Sequence, residues 1–224
     1  MCNCGYGDFL KTLNGMQIVV SHSANKNEQD TRFIFFRRGG VRFIFGDRET
    51  LKPAIVSNLG HYRYKVFVER LKWHLPCEEG RECDQFDRTD TMHLIALGDR
   101  EEIVGCARLL PTTRPYLLES VFPALLNGQP PPSSPQVWEL SRFAAVDFSQ
   151  DRRSVMKQFS VREAVELMRI SMVCAKYCGA RKLVTVSPMG VERLLAWAGF
   201  SWVRAGRPLE FGGELVVAGY IDVA

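Results

Sequence analysis

The chain has 224 residues, of which 46% are hydrophobic and 24% charged, and a formal net charge of +4. That length and apolar share fit one domain with a real core, and no run of about 18 apolar residues is present to span a bilayer. The opening MCNCGYGDFLKTLNG lacks a basic end followed by an apolar stretch, so no secretory signal is expected and the expected location is cytoplasmic.

Residues 1–40 read as an N-terminal extension of uncertain order, in which MQIVV and RFIFF have strand character around a polar stretch at 21–31. The domain proper is expected over 41–224. VRFIF (41–45) reads as its first strand. Thr50 is placed to cap a helix through residue 71, with Pro53 in its first turn. Residues 72–90 form a loop rich in charge. MHLIAL (92–97) and EIVGCARLL (102–110) flank a hairpin signal. LESVFPALLNG predicts a short helix ended by Gly128, and QPPPSSP a rigid connection.

QVWELSRFAAV (136–146) has strand residue types but carries Glu139 and Arg142. Residues three apart in a regular strand point to opposite faces. The pair is therefore either a surface salt bridge serving two surroundings, or a bulge brings both side chains to one side. Further on, Ser160 and Glu163 form a capping-box pattern before a helix that runs to Gly179. KLVTVS (182–187) is a strand, GVERLLAWAG an amphipathic helix, and FSWVRAG and LVVAGYIDV the closing strands. Strands and helices without strict alternation imply an α/β (α+β) fold, a mixed twisted sheet with helices on both faces.

Seven cysteines, with no CxxC pair, fit free thiols in a reducing compartment, and no metal site is expected. Residues 151–224 hold 11 Lys/Arg against 7 Asp/Glu, while residues 1–150 balance. This fits either an acidic partner or a solvated basic face. Basic residues interleaved with stacking aromatics are missing, so nucleic acid is not an expected partner, and neither is a membrane. GxxxxGK[ST], GxGxxG and GxSxG are all absent, so a phosphate cradle and a serine-hydrolase elbow are not indicated.

Arg108 and Arg142 interrupt strands that otherwise read as buried. An unpaired charge there costs several kcal/mol at least, so carboxylate partners are needed. Asp84, Asp87 and Glu139 are the candidates. With Arg63, which shares a helix face with Phe67, they suggest a charged cleft. Such a cleft suits a zwitterion, its carboxylate facing arginines and its cation facing acids. Trp73 and Phe67 add faces for a ring or a cation.

These pieces resemble the LuxI-type acyl-homoserine-lactone synthases, the autoinducer synthases that make quorum-sensing signals. The matching stretches are RYKVF (63–67), Trp73, DQFD (84–87), GCARLLPTTRPYLL (105–118), WELSRFAAV (138–146) and LVTVSPMGVERLLAWAGF (183–200). The resemblance implies a GNAT-like acyltransferase fold with a central cleft. It implies S-adenosylmethionine as a small-molecule substrate, acyl carrier protein as acyl donor and no further cofactor. Carried over by position, Glu139 is expected as general base with Asp84 as runner-up, and Asp84 and Arg142 are expected to hold S-adenosylmethionine. Arg63, Asp87 and Arg108 fix the cleft, with Phe67, Trp73 and Phe143 lining it. Thr185 and Ser187 share one face of their strand, and the resemblance links the threonine to 3-oxo acyl chains. A CoA-dependent N-acyltransferase on another amine, or an inactive ligand-binding relative, is the alternative.

Overall fold

The computed structural model describes residues 41–148 and 161–223, together with the backbone of three earlier strands at 9–13, 16–21 and 33–38. Those strands, β1 (Phe9–Leu13), β2 (Met16–Ser21) and β3 (Phe33–Arg38), form an antiparallel run that joins the edge of β4 (Val41–Gly46). The sheet continues through β7 (Met92–Leu97), β8 (Ile103–Pro111), β9 (Val137–Ala145), β10 (Lys182–Pro188), β13 (Glu214–Asp222) and β11 (Trp202–Arg204). A short β12 (Leu209–Phe211) also pairs with β13. Every pairing in this sheet is antiparallel except β9 with β10, so the expected mixed sheet is what the chain builds.

The sheet has helices on both faces. On one lie α1 (Pro53–Arg63), α2 (Leu117–Val121) and a 3-10 turn at Pro123–Leu126. On the other lie α3 (Val161–Tyr177) and α4 (Met189–Trp197). The α3 face packs Phe43, Leu94, Leu109, Leu140, Met168 and Leu183 into one core. Two smaller cores fill the α1 and α2 side. Alternation along the strands makes this division: Leu140 points to α3, while Glu139 and Ser141 point the other way.

Several expected elements differ in detail. Thr50 does not cap α1. Its hydroxyl and amide both bond Asp47 Oδ1 at 2.8 Å, closing a tight turn, and Lys52 stands at the cap position without a side-chain bond. The expected helix to residue 71 is α-helical only to Arg63, and Tyr64–Arg70 is π-helical. The expected helix at 118–128 splits at Pro123, whose ring cannot continue the preceding turn. Within the charged loop, β5 (Cys77–Glu78) and β6 (Arg81–Glu82) form a small hairpin. Ser160 lies outside the described residues, so the capping box does too, and so do Arg152, Arg153 and Lys157, three of the basic residues behind the positive excess of 151–224.

Candidate active site

The site grows from two features of β9. The first is a bulge against β8. Cys106 pairs with Ala144 and Arg108 with Ser141, so β9 carries one residue more than β8 over this stretch. Arg142 takes a left-handed φ of 49° there. A non-glycine residue in that conformation costs roughly 1 kcal/mol or more, a strain that clusters at functional sites. The extra residue resets the alternation, so Glu139, Ser141 and Arg142 all point to the α1 side while Phe143 packs on the α3 core. Of the two readings of the Glu139 and Arg142 spacing, the bulge is the one present.

The second feature is a parting of strands. β9 and β10 pair only over Val137–Leu140 and Lys182–Thr185. Beyond that, β9 stays with β8 through Ala145 and β10 with β13 through Pro188. The middle of the sheet opens into a cleft at Ser141 and Val186.

On the α1 side of this opening, three arginines interlock with three carboxylates. Arg63 meets Asp87 with both terminal nitrogens, at 2.7 and 3.0 Å, and its Nε meets Glu82 at 2.5 Å. Arg108 Nη1 donates to Asp84 at 2.6 Å and to Asp87 at 3.1 Å, and its Nε donates to Ser141 Oγ at 3.0 Å. Arg142 Nη2 donates to Asp84 at 2.7 Å and to Glu82 at 2.9 Å. Arg108 is fully buried, yet its Nη2 has no partner among the described residues, so one buried donor is left open. Burial pushes the Asp87 carboxyl up, but the Arg63 and Arg108 guanidiniums outweigh it and hold that carboxyl well below the usual range. Burial, helped by the charges of Arg63, Arg108 and Arg48, pushes His93 down to about 3 against the pull of Asp87, so this histidine is neutral.

Aromatic rings line the cluster. Phe67 and Trp73 stack with centroids 5.0 Å apart, and the Arg142 guanidinium lies 5.6 Å from the Phe67 centroid. The π-helical turn brings Trp73 back to Phe67, since the Trp73 amide donates to the Phe67 carbonyl at 2.9 Å.

Glu139 stands apart from the ion pairs. Its carboxylate accepts from the amides of Leu117 at 2.9 Å and Leu118 at 2.7 Å, the start of α2. It is 1% exposed. Burial pushes its carboxyl up to about 7, against those two hydrogen bonds and the charges of Arg108 and Arg142.

Arg63, Phe67, Trp73, Asp84, Asp87, Arg108 and Arg142 therefore come together, with Glu139 one strand position from Ser141 along the same face. Phe143, Thr185 and Ser187 lie across the sheet, on the α3 side. Sequence reasoning missed Glu82, which holds both Arg63 and Arg142 and whose side chain is wholly buried. Its signal was available: an acid two residues before Asp84, the same spacing that aligns side chains along a strand.

Comparison with known proteins gives a consistent result. The autoinducer synthase family model matches residues 47–224. The acyl-homoserine-lactone synthase of Acinetobacter nosocomialis is 46% identical over 183 residues, covering 82% of this chain and 100% of that protein. The crystal structure of TofI in a ternary complex with an inhibitor and MTA superposes with a TM-score of 0.70 at 42% identity, over 81% of this chain and 91% of that one. The CoA-dependent acyl-homoserine lactone synthase BjaI, with SAM and isopentyl-CoA, gives a TM-score of 0.70 at 28% identity, over 80% and 82%.

Proposed function

Because the chain belongs to the autoinducer synthases and is an acyl-homoserine-lactone synthase, an acyltransferase with the GNAT-like fold, we propose that it joins S-adenosylmethionine to a fatty acyl group carried by acyl carrier protein. The observation that carries this reading is the parting of β9 and β10 between two unlike faces. One face offers interlocked arginines and carboxylates under stacked aromatic rings. The other offers the apolar core below Thr185. The first suits a zwitterion with a sulfonium and an adenine, the second a fatty chain.

In this reading the S-adenosylmethionine amine attacks the thioester carbonyl carbon. The C–N bond forms, the C–S bond breaks, and the carrier thiol leaves. Glu139 takes the amine proton, and its carboxyl near 7 is matched to that task at neutral pH. Asp84 remains the second choice, since its two oxygens are engaged by cationic guanidiniums, whereas those of Glu139 accept from neutral backbone amides. The open Nη2 of Arg108 supports a contact with the substrate carboxylate. That carboxylate then attacks its own γ-carbon, the sulfonium C–S bond breaks, and methylthioadenosine departs. This second step asks the protein for orientation rather than for a nucleophile.

No resident cofactor enters the scheme, since S-adenosylmethionine is consumed. Exposed Arg162, Arg169, Lys176, Arg181, Lys182 and Arg193 support docking of an acidic carrier protein on the α3 and α4 side. Residues 41–224 form the catalytic unit, with the earlier strands an addition at its sheet edge. Among the described residues no helix is long and apolar enough to cross a membrane, and both substrates place the reaction in the cytoplasm. The test is a panel of acyl carrier protein and CoA thioesters incubated with S-adenosylmethionine and read by mass spectrometry. Turnover with carrier-protein thioesters supports the donor assignment. Turnover confined to CoA thioesters would replace the carrier, and an acylated amine without lactone would replace the acceptor.

A further inference from the structure

We infer that Tyr62 is a positioning residue for the acyl donor: its hydroxyl pins the free end of β9 to α1 and so keeps open the cleft that receives the thioester. The inference rests on the reading above, that a fatty acyl thioester reacts where β9 and β10 part. Past Leu140 the register between these strands ends, so one edge of β9 borders the cleft from Ser141 onward. The other edge is held by β8, but the bulge at Arg142 interrupts that ladder. Two register pairs of the ladder follow the bulge, Cys106 with Ala144 and Gly105 with Ala145. A strand end held by so few bonds, on one side, opens at low cost unless something else ties it down.

Side chains on the α1 side supply that tie. At the bulge, the Cys106 thiol donates to the Arg142 carbonyl at 3.2 Å. Val146, the residue after β9, is fully buried, so its amide and carbonyl need partners away from water. The Tyr62 hydroxyl serves both, accepting from the Val146 amide at 3.0 Å and donating to the Val146 carbonyl at 3.1 Å. Burial pushes the phenol well above its usual pKa, so the proton needed for the second bond stays in place. The ring is fixed as well: it is 5% exposed, shares an apolar cluster with Val66, Phe67 and Ala144, and meets Phe148 edge-on at 5.8 Å. Tyr62 precedes Arg63 on α1, and Arg63 is held by Glu82 and Asp87 directly. The contact therefore ties the free strand end to the helix that carries the other wall of the site. Glu139 has no part in it, because it lies where β9 and β10 still pair. Deleting the hydroxyl should loosen the cleft and leave both the proton acceptor and the ion pairs in place.

The test compares wild type with Tyr62→Phe, which keeps the ring and deletes the hydroxyl. In wild type the strand end is ordered before the donor arrives; in the variant, donor binding must order it and is weakened by that cost. A hydrogen bond of this kind shifts an equilibrium by roughly two- to ten-fold. KM for an acyl carrier protein thioester is expected to rise by about five-fold, with kcat and S-adenosylmethionine affinity within about two-fold of wild type. Hydrogen exchange is expected to quicken at the Val146 amide and to stay unchanged over Val137–Leu140. An unchanged thioester KM in an active variant overturns the inference. So does an equal fall in kcat and S-adenosylmethionine affinity, the mark of general damage. If Tyr62→Phe does not fold, exchange at the wild-type Val146 amide decides. Protection before any thioester is added supports the pin, and protection that appears only with the thioester overturns it. No lactone from wild type with any thioester would instead remove the premise, and the inference with it.

Discussion

Asp87→Asn is the perturbation with the largest expected structural consequence. The substitution is nearly isosteric and removes one buried negative charge. That charge faces Arg63 at 2.7 and 3.0 Å and Arg108 at 3.1 Å, and the same carboxylate accepts the Asp84 amide at 2.8 Å. Without it, three carboxylates against three arginines become two against three, among side chains that are each at most 8% exposed. Breaking a buried pair from one side costs about 3–5 kcal/mol, because the surviving charge is left uncompensated. Against a total stability of about 5–15 kcal/mol, that loss is a large fraction. Guanidinium unfolding should show the midpoint falling with the slope unchanged. The acid limb gives an independent reading. The Asp87 carboxyl is held below its unfolded value, so it contributes stability above the unfolded pKa, and that contribution is lost as pH falls. Asp87→Asn should therefore lose most at neutral pH and converge on wild type in acid. A loss under about 1 kcal/mol at pH 7, the range of an exposed pair, would refute the picture of a closed ionic cluster.

Glu139→Gln should lower kcat/KM by about 10²–10⁴-fold and remove a rising limb centred near pH 7; a retained limb would assign the proton to another group. Because the folded Glu139 carboxyl is raised, its contribution is present below the unfolded pKa and lost as pH rises through about 7, so the variant should gain on wild type between pH 5 and pH 8 in thermal melts. Arg142→Lys keeps the charge but cannot span Glu82 and Asp84 as a planar fork, and calorimetry should show S-adenosylmethionine binding weakened by at least about ten-fold. Gly219→Ala would place a Cβ inside the Trp202 ring, which is anchored by Nε1 donating to Glu192 at 2.9 Å. It should cost about 1–3 kcal/mol and shift the indole emission, whereas a silent substitution would mean the ring is free to move.

How much of this was legible beforehand differs by element. The strands at 41–46, 92–97, 103–111 and 182–188 follow from runs of apolar and β-branched residues, and the structure extends them by a residue at most. The bulge was legible in a subtler way, since two charges three apart on a buried strand can share a face only if the alternation is reset. The π-helical stretch was not, because Tyr64–Arg70 contains no proline or glycine to mark it, and the change follows from packing Phe67 and Trp73 together. Side-chain arithmetic named Glu139 as a partner for the arginines. Its actual partners are the backbone amides of Leu117 and Leu118, which no residue pattern exposes. Glu82 took its place in the cluster from a hairpin that looked like an irregular charged loop.

The most direct test of the central claim is the stoichiometry of a single reaction. Purified protein, S-adenosylmethionine and one acyl carrier protein thioester would be followed for lactone and methylthioadenosine by mass spectrometry and for free carrier thiol by a thiol assay. The account predicts that all three appear together in equal amounts. Thiol and an acylated amine without methylthioadenosine would contradict it, since the amide step would then be running without the lactonisation that the proposed site couples to it.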